Sequence, residues 1–128
     1  MDGKRILLVE DNAINWRLAQ FLLKSHGYEV REVGSAREAF AAIAERRPDL
    51  ILMDIQLPGM DGLAATKELK ASPPTRDIPV VAVTSYAMKG DEAKAFDAGC
   101  CGYVTKPIAK ERLLAAVTKA LGSCRAAD

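Results

Sequence analysis

One pattern constrains this chain more than any other: a short apolar run stops abruptly at polar residues, and a stretch with helical spacing follows. It occurs five times. Arg5–Ile6–Leu7–Leu8–Val9 ends at Glu10–Asp11, and Leu50–Ile51–Leu52–Met53 ends at Asp54. Ile78–Pro79–Val80–Val81–Ala82–Val83 ends at Thr84–Ser85, and Gly102–Tyr103–Val104 ends at Thr105–Lys106–Pro107. The remaining run, Tyr28 to Val33, alternates apolar with charged residues, as a strand exposed on one side does. Near-continuous apolar strands separated by helices read as a parallel sheet buried on both faces. The expected fold class is therefore α/β.

The helices are signalled unevenly. Between Asn12 and His26 the residues Ile14, Leu18, Phe21 and Leu22 fall on one face, read as the inner one, and Gly27 is a stop signal. Trp16, Ala19 and Leu23 then fall on the opposite, outer side, where a tryptophan suggests a partner surface. Ser35 with Glu38 forms a capping box ahead of Ala39, Ala42 and Ile43. Pro58, Gly59 and Gly62 punctuate a loop before a helix from Leu63 to Ala71, and Ser72–Pro73–Pro74–Thr75 is a second break. A weaker helix covers Asp91–Phe96 and stops at Gly99, and the last carries Leu113, Leu114, Val117 and Leu121.

Composition narrows the function. At 128 residues the chain fits one domain, expected to span 1–128 with a core from about residue 4 to 121. Hydrophobic residues at 49% and charged residues at 27% are a globular balance. The apolar runs are strand-sized, far short of the about 20 residues of a membrane span, and Lys4–Arg5 precede too few apolar residues for a signal peptide. A net charge of +1 does not support a broad nucleic-acid surface, and no residues remain for a helix-turn-helix. Cys100, Cys101 and Cys124 form neither a disulfide framework nor a zinc pair, which points to a reducing, cytoplasmic setting. The adjacent pair reads as packing residues, and His26, at the end of its helix, as structural.

In sheets of this kind ligands sit outside the carboxyl ends of the strands. There the chain offers Glu10, Asp11, Asp54, Thr84 and Lys106. Three carboxylates at one mouth repel unless a cation compensates them, and oxygen-only ligation favours Mg²⁺. A lysine and a hydroxyl beside them suit phosphoryl transfer onto a carboxylate. Taken singly, Asp11 is also a helix cap, Lys106 a solvated lysine and Thr84 a turn residue. The joint reading prevails because separate strand ends carry the required groups in the required order.

The pieces ILLVEDN, MDIQLPGMDG, PVVAVTSYA and GYVTKPI resemble the receiver domains of bacterial two-component response regulators, from Lys4 to Leu121. DIQLPGMDGL and IPVVAVTSYAMKGDEAKA further resemble stand-alone cell-division-type receivers, wording shared by receivers fused to hybrid kinases. The resemblance implies a flavodoxin-like sheet of order 2-1-3-4-5. It implies phosphorylation of Asp54, with Mg²⁺ held by Glu10, Asp11, Asp54 and the backbone carbonyl of Gln56. Thr84 and Lys106 would contact the phosphoryl oxygens, Tyr103 would be the aromatic switch, and the Lys106–Pro107 bond would be cis. The donor would be a sensor histidine kinase or a histidine phosphotransfer protein. The signal would leave by contact with a downstream protein or by onward phosphorelay, without direct nucleic-acid binding or membrane insertion. No separate substrate is turned over: the chain would catalyse its own phosphorylation and slow dephosphorylation.

Other classes fit less well. A haloacid-dehalogenase-like phosphatase would carry an Asp where Gln56 stands. Glu10–Asp11–Asn12 would repel a flavin phosphate, and the P-loop pattern is absent. The remaining rivals are a phosphorylation-independent, receiver-shaped interaction module and a receiver excised from a hybrid kinase.

Overall fold

The computed structural model describes residues 4–10, 13–54, 62–84, 91–105 and 110–123. Its elements alternate throughout: β1 (Arg5–Val9), α1 (Ala13–Ser25), β2 (Glu29–Val33), α2 (Ala36–Glu45), β3 (Leu50–Asp54), α3 (Gly62–Ala71), β4 (Val80–Thr84), α4 (Asp91–Ala98), β5 (Gly102–Thr105) and α5 (Lys110–Ser123). The strands form one all-parallel sheet in the order β2-β1-β3-β4-β5. This is the expected class and order.

Strand alternation divides the core into two layers. On one face Ile6, Leu8, Leu50, Leu52, Val81 and Val83 pack against Ala19, Leu22 and Leu23 of α1 and Leu113, Val117 and Ala120 of α5. On the other, Leu7, Val9, Ile51, Met53, Val80 and Ala82 meet Ala39 and Ile43 of α2, Ala65 and Leu69 of α3 and Ala95 of α4. Every residue of β3 and β4 is buried, which is why those runs are apolar without alternation. β2 lies at the sheet edge and buries fully only Val33, which explains its charged alternation.

The helix on the first connection corrects one expectation. Ala19, Leu22 and Leu23 face the core, whereas Leu18 is 47% and Phe21 68% exposed. The inner stripe is thus the one containing Ala19 and Leu23, rotated from the face that Leu18 and Phe21 suggest. Ala19, Leu22 and Leu23 form the packed face, and Leu18 and Phe21 are left outside it. The side chains of Ile14 and Trp16 lie outside the described residues.

Local chemistry ends the helices where glycine allows it. After α1 the Gly27 amide donates to the Lys24 carbonyl and the Tyr28 amide to the Leu23 carbonyl. Gly27 has φ +89°, and Tyr28 and Leu23 are both buried, as a Schellman motif with its apolar contact requires. The same pair of bonds recurs after α4, from Gly99 to Phe96 and from Cys100 to Ala95, with Gly99 at φ +112°. His26 caps the end of α1 through a 3.0 Å contact of Nδ1 with the Leu22 carbonyl, the structural role expected of it. Ser35 caps α2 by accepting from the Glu38 amide at 3.2 Å. Glu38 reaches back to the amide of Gly34, at 3.0 Å. β4 begins at Val80, two residues later than the apolar run, because the Ile78 amide is used in a turn with Thr75 and Pro79 has no N–H.

Candidate functional site

The carboxyl ends of β1, β3 and β4 carry three buried polar residues where the interior of these strands is apolar. Glu10 is 4% exposed, Asp54 3% and Thr84 0%. Glu10 follows β1 directly, and its amide donates to the Val33 carbonyl at 3.0 Å, so β2 fixes the backbone at that point. Val9 pairs with Met53, which sets Glu10 level with Asp54 on the adjacent strand. Asp54 pairs with Val83, so Thr84 stands one residue beyond it on the next strand. Parallel neighbours are spaced about 4.8 Å apart, which gathers the three residues at one rim.

Burial is costly here. A carboxylate withdrawn from water loses hydration that must be made up by partners, and two at adjacent strand ends repel each other. Such a pair is weak evidence for a role in stability. It makes chemical sense as a site for something positive: carboxylate oxygens are the donors that hard divalent cations take. Among the described residues no group of three His, Cys, Asp or Glu is assembled for a metal, and Glu10 and Asp54 are two donors of the expected set. The donor chemistry therefore fits Mg²⁺. Asp11, Gln56, Lys106 and the Lys106–Pro107 bond lie outside the described residues.

A second feature lies beside this rim. Tyr103 pairs with Ala82 and Thr105 with Thr84, so Tyr103 and Thr84 occupy the same face of the sheet on neighbouring strands. The half-buried Tyr103 packs against the α2–α3–α4 layer of the core. Thr84 and Tyr103 are thus diagonal neighbours on that face.

The receiver-domain family of response regulators matches residues 6–118. The chain belongs to this family. The polar-differentiation response regulator DivK of Brucella anthropi is 45% identical over 119 residues, covering 93% of this chain and 97% of that protein. Among solved structures, the receiver domain of a sensor histidine kinase from Pseudomonas aeruginosa PAO1 has a TM-score of 0.86 at 37% identity, covering 94% of this chain and 99% of that one. That structure has a magnesium ion coordinated in its active-site cleft. The chemotaxis response regulator CheY4 of Vibrio cholerae has a TM-score of 0.85 at 24% identity, over 92% of this chain and 98% of its own, and shares the fold. The receiver resemblance of the sequence is therefore correct, including its likeness to a stand-alone response regulator.

The outward pair Leu18 and Phe21 is the surface feature that the periodicity reading missed. The signal was present in the sequence, since Ala19 and Leu23 form an equally regular stripe. Bulk alone favoured the wrong face. Among the described residues no helix is long and apolar enough to cross a membrane.

Proposed function

We propose that this receiver is a single-domain response regulator that takes a phosphoryl group from a phosphohistidine onto the Asp54 carboxylate. The supporting observation is the burial of Asp54 at the end of β3, level with Glu10 and next to Thr84. One Asp54 oxygen attacks phosphorus as the phosphorus–nitrogen bond breaks, and the imidazole of the donor leaves with the electron pair. Hydrolysis later returns inorganic phosphate and the free carboxylate. Glu10, Asp11, Asp54 and the Gln56 carbonyl would hold Mg²⁺, which when bound supplies positive charge to the phosphoryl oxygens. Thr84 and Lys106 would donate to those oxygens. The magnesium in the related Pseudomonas receiver supports this assignment.

The near-complete coverage of DivK supports a stand-alone regulator. Such a chain acts in the cytoplasm, fed by a sensor histidine kinase or a histidine phosphotransfer protein. Its output is a phosphorylation-dependent contact with a downstream protein, or onward transfer. Leu18 and Phe21 supply an apolar surface on α1 for the donor. Phe21→Ala should slow transfer from a phosphotransfer protein and leave labelling by a small phosphodonor unchanged. Equal loss in both assays would remove the docking assignment.

Incubation with acetyl phosphate, with and without Mg²⁺, tests the central claim. Intact mass should rise by one phosphoryl group in the wild type only when metal is present, and not at all in Asp54→Asn. Labelling that persists in Asp54→Asn would overturn the assignment. A folded wild type that never labels would leave the phosphorylation-independent interaction module as the reading.

For the output, Thr84 drawn toward the phosphoryl group would let Tyr103 turn inward, changing the face formed by α4, β5 and α5. Thr84→Ala should still label yet lose the partner response to beryllofluoride. Loss confined to Ser85→Ala would reassign the switch.

A further inference from the structure

The opposite end of the sheet holds a cleft that phosphoryl chemistry does not use. It is a cavity of about 130 Å³ between the amino ends of β1 and β2 and the end of α2, lined by Arg5, Glu29, Arg31, Ala42, Arg46 and Pro48 among others. Its origin is local. Arg5 pairs with Glu29 and Leu7 with Arg31, which places three charged side chains on the sheet face that α2 covers. α2 ends at Glu45, and Arg46 leaves the helix in an extended conformation, φ −157° and ψ 111°, before the helix has covered this corner.

The three arginines are not equally satisfied. Arg31 makes a well-formed 2.9 Å bond to Glu45. Arg5 Nε and an Arg46 terminal nitrogen both converge on one oxygen of Glu29, at 3.5 and 3.9 Å, beyond ordinary hydrogen-bond length. Arg5 Nε is buried and makes no hydrogen bond among the described residues. Glu29, more than half exposed, thus marks a carboxylate position that two guanidinium groups already face and that it fills loosely.

We propose that this cleft binds a small monocarboxylate, whose head displaces Glu29 between Arg5 and Arg46 while its body lies on Ala42 and Pro48. The planar guanidinium fork matches a carboxylate in two-point geometry. The apolar wall suits a short aliphatic or aromatic body. Because the arginines are half-exposed, their pull is screened, and the affinity is in the millimolar range.

Titration of the ¹⁵N-labelled protein with sodium benzoate at constant ionic strength tests this. Saturable shifts are expected at the amides of residues 5–7 and 29–31. Arg46→Gln should weaken binding by about tenfold, the cost of one charge-assisted bond. Glu29→Gln, which removes the internal competitor, should strengthen it and raise the benzoate-dependent gain in melting temperature. Both side chains are half-exposed, so the fold tolerates either change. Shifts that stay linear with benzoate, or one affinity shared by all three proteins, would overturn the proposal. Saturation with inorganic phosphate but not benzoate would also overturn it, in favour of a tetrahedral anion.

Discussion

The two ends of the sheet treat charge in opposite ways. At the carboxyl end Glu10, Asp54 and Thr84 are almost wholly buried. At the amino end Arg5, Glu29, Arg31, Glu45 and Arg46 form ion pairs left 41–66% exposed. Buried carboxylates side by side repel each other, and the proposed phosphoryl chemistry accounts for their placement. Half-exposed pairs cost almost nothing and stabilise little. Changes at the carboxyl end should therefore move function more than stability, and changes at the amino end the reverse.

Beyond the loss of labelling in Asp54→Asn, the largest effect expected also belongs to the carboxyl end. Glu10→Gln removes one negative charge from the proposed cation site and keeps its shape. Mg²⁺-dependent labelling by acetyl phosphate should slow about 10–100-fold, the usual cost of perturbing a metal site. Excess metal should restore part of the rate, and chelation should abolish it in both proteins. A variant that labels at the wild-type rate at limiting Mg²⁺ would remove Glu10 from the site.

Next comes the turn after α4, at the amino end. Gly99 has φ +112°, and a Cβ there would sit 2.5 Å from Lys70 Cγ. The Lys70 side chain has little freedom to yield, because its Nζ donates to the carbonyls of Ile78 at 2.7 Å and Arg76 at 3.0 Å. Gly99→Ala should lower stability by about 2 kcal/mol, combining a left-handed backbone penalty with the displaced lysine. Labelling of the folded fraction should be unchanged. Urea melts and mass-spectrometric labelling of the same sample separate the two quantities.

Asp54→Asn sharpens the comparison because stability should rise while function is lost. Replacing one of two adjacent buried carboxylates with a neutral isostere relieves their mutual repulsion, a gain of about 1 kcal/mol without metal. Mg²⁺ should stabilise the wild type and not the variant. A lower melting temperature for Asp54→Asn in chelator would mean that the buried acids support the fold.

These contrasts bear on what the sequence makes legible. Strand ends are easy to read, because a buried parallel strand must be apolar and its polar terminus therefore stands out. Asp54 after Leu50–Met53 is such a case, and Glu10 after Val9 another. Gly27 and Gly99 announce helix ends because only glycine takes their positive φ without strain. The orientation of α1 was harder. Two apolar stripes compete on that helix, and which one packs is set by the tertiary contacts of Ala19, Leu22 and Leu23, which its periodicity does not carry. The arginine cleft was illegible for a related reason: Arg5, Glu29 and Arg46 are far apart in sequence and meet only through strand register and the end of α2.

Cys100 gives the amino end its pH dependence. Burial pushes its thiol up from 9.0 to about 11, against smaller lowering effects of the Thr66 hydrogen bond and the Lys70 charge. The raised pKa belongs to the folded state, so its contribution is complete below the unfolded pKa and is lost as pH climbs toward 11. Stability should fall by about 1 kcal/mol between pH 9 and 10 beyond the loss seen in Cys100→Ala. Iodoacetamide at pH 8 should modify Cys100 far more slowly than an unfolded control. Rapid alkylation of the native protein at Cys100 would contradict its burial.

The smallest effect expected is at Arg31, which forms the best-made ion pair of the amino end, 2.9 Å from Glu45. Good geometry alone suggests a strong contact. Yet Arg31 is 54% and Glu45 66% exposed, so water already solvates both groups, and ordering two long side chains offsets much of the attraction. Arg31→Ala should cost no more than about 0.5 kcal/mol, and a double-mutant cycle with Glu45→Ala should give a coupling of similar size. Raising salt to 1 M should erase it, since the screening length then falls to about 3 Å. A coupling above about 1.5 kcal/mol that survives this salt would show that the amino end holds charge in a low-dielectric setting after all. The contrast between the two ends of the sheet would then fail.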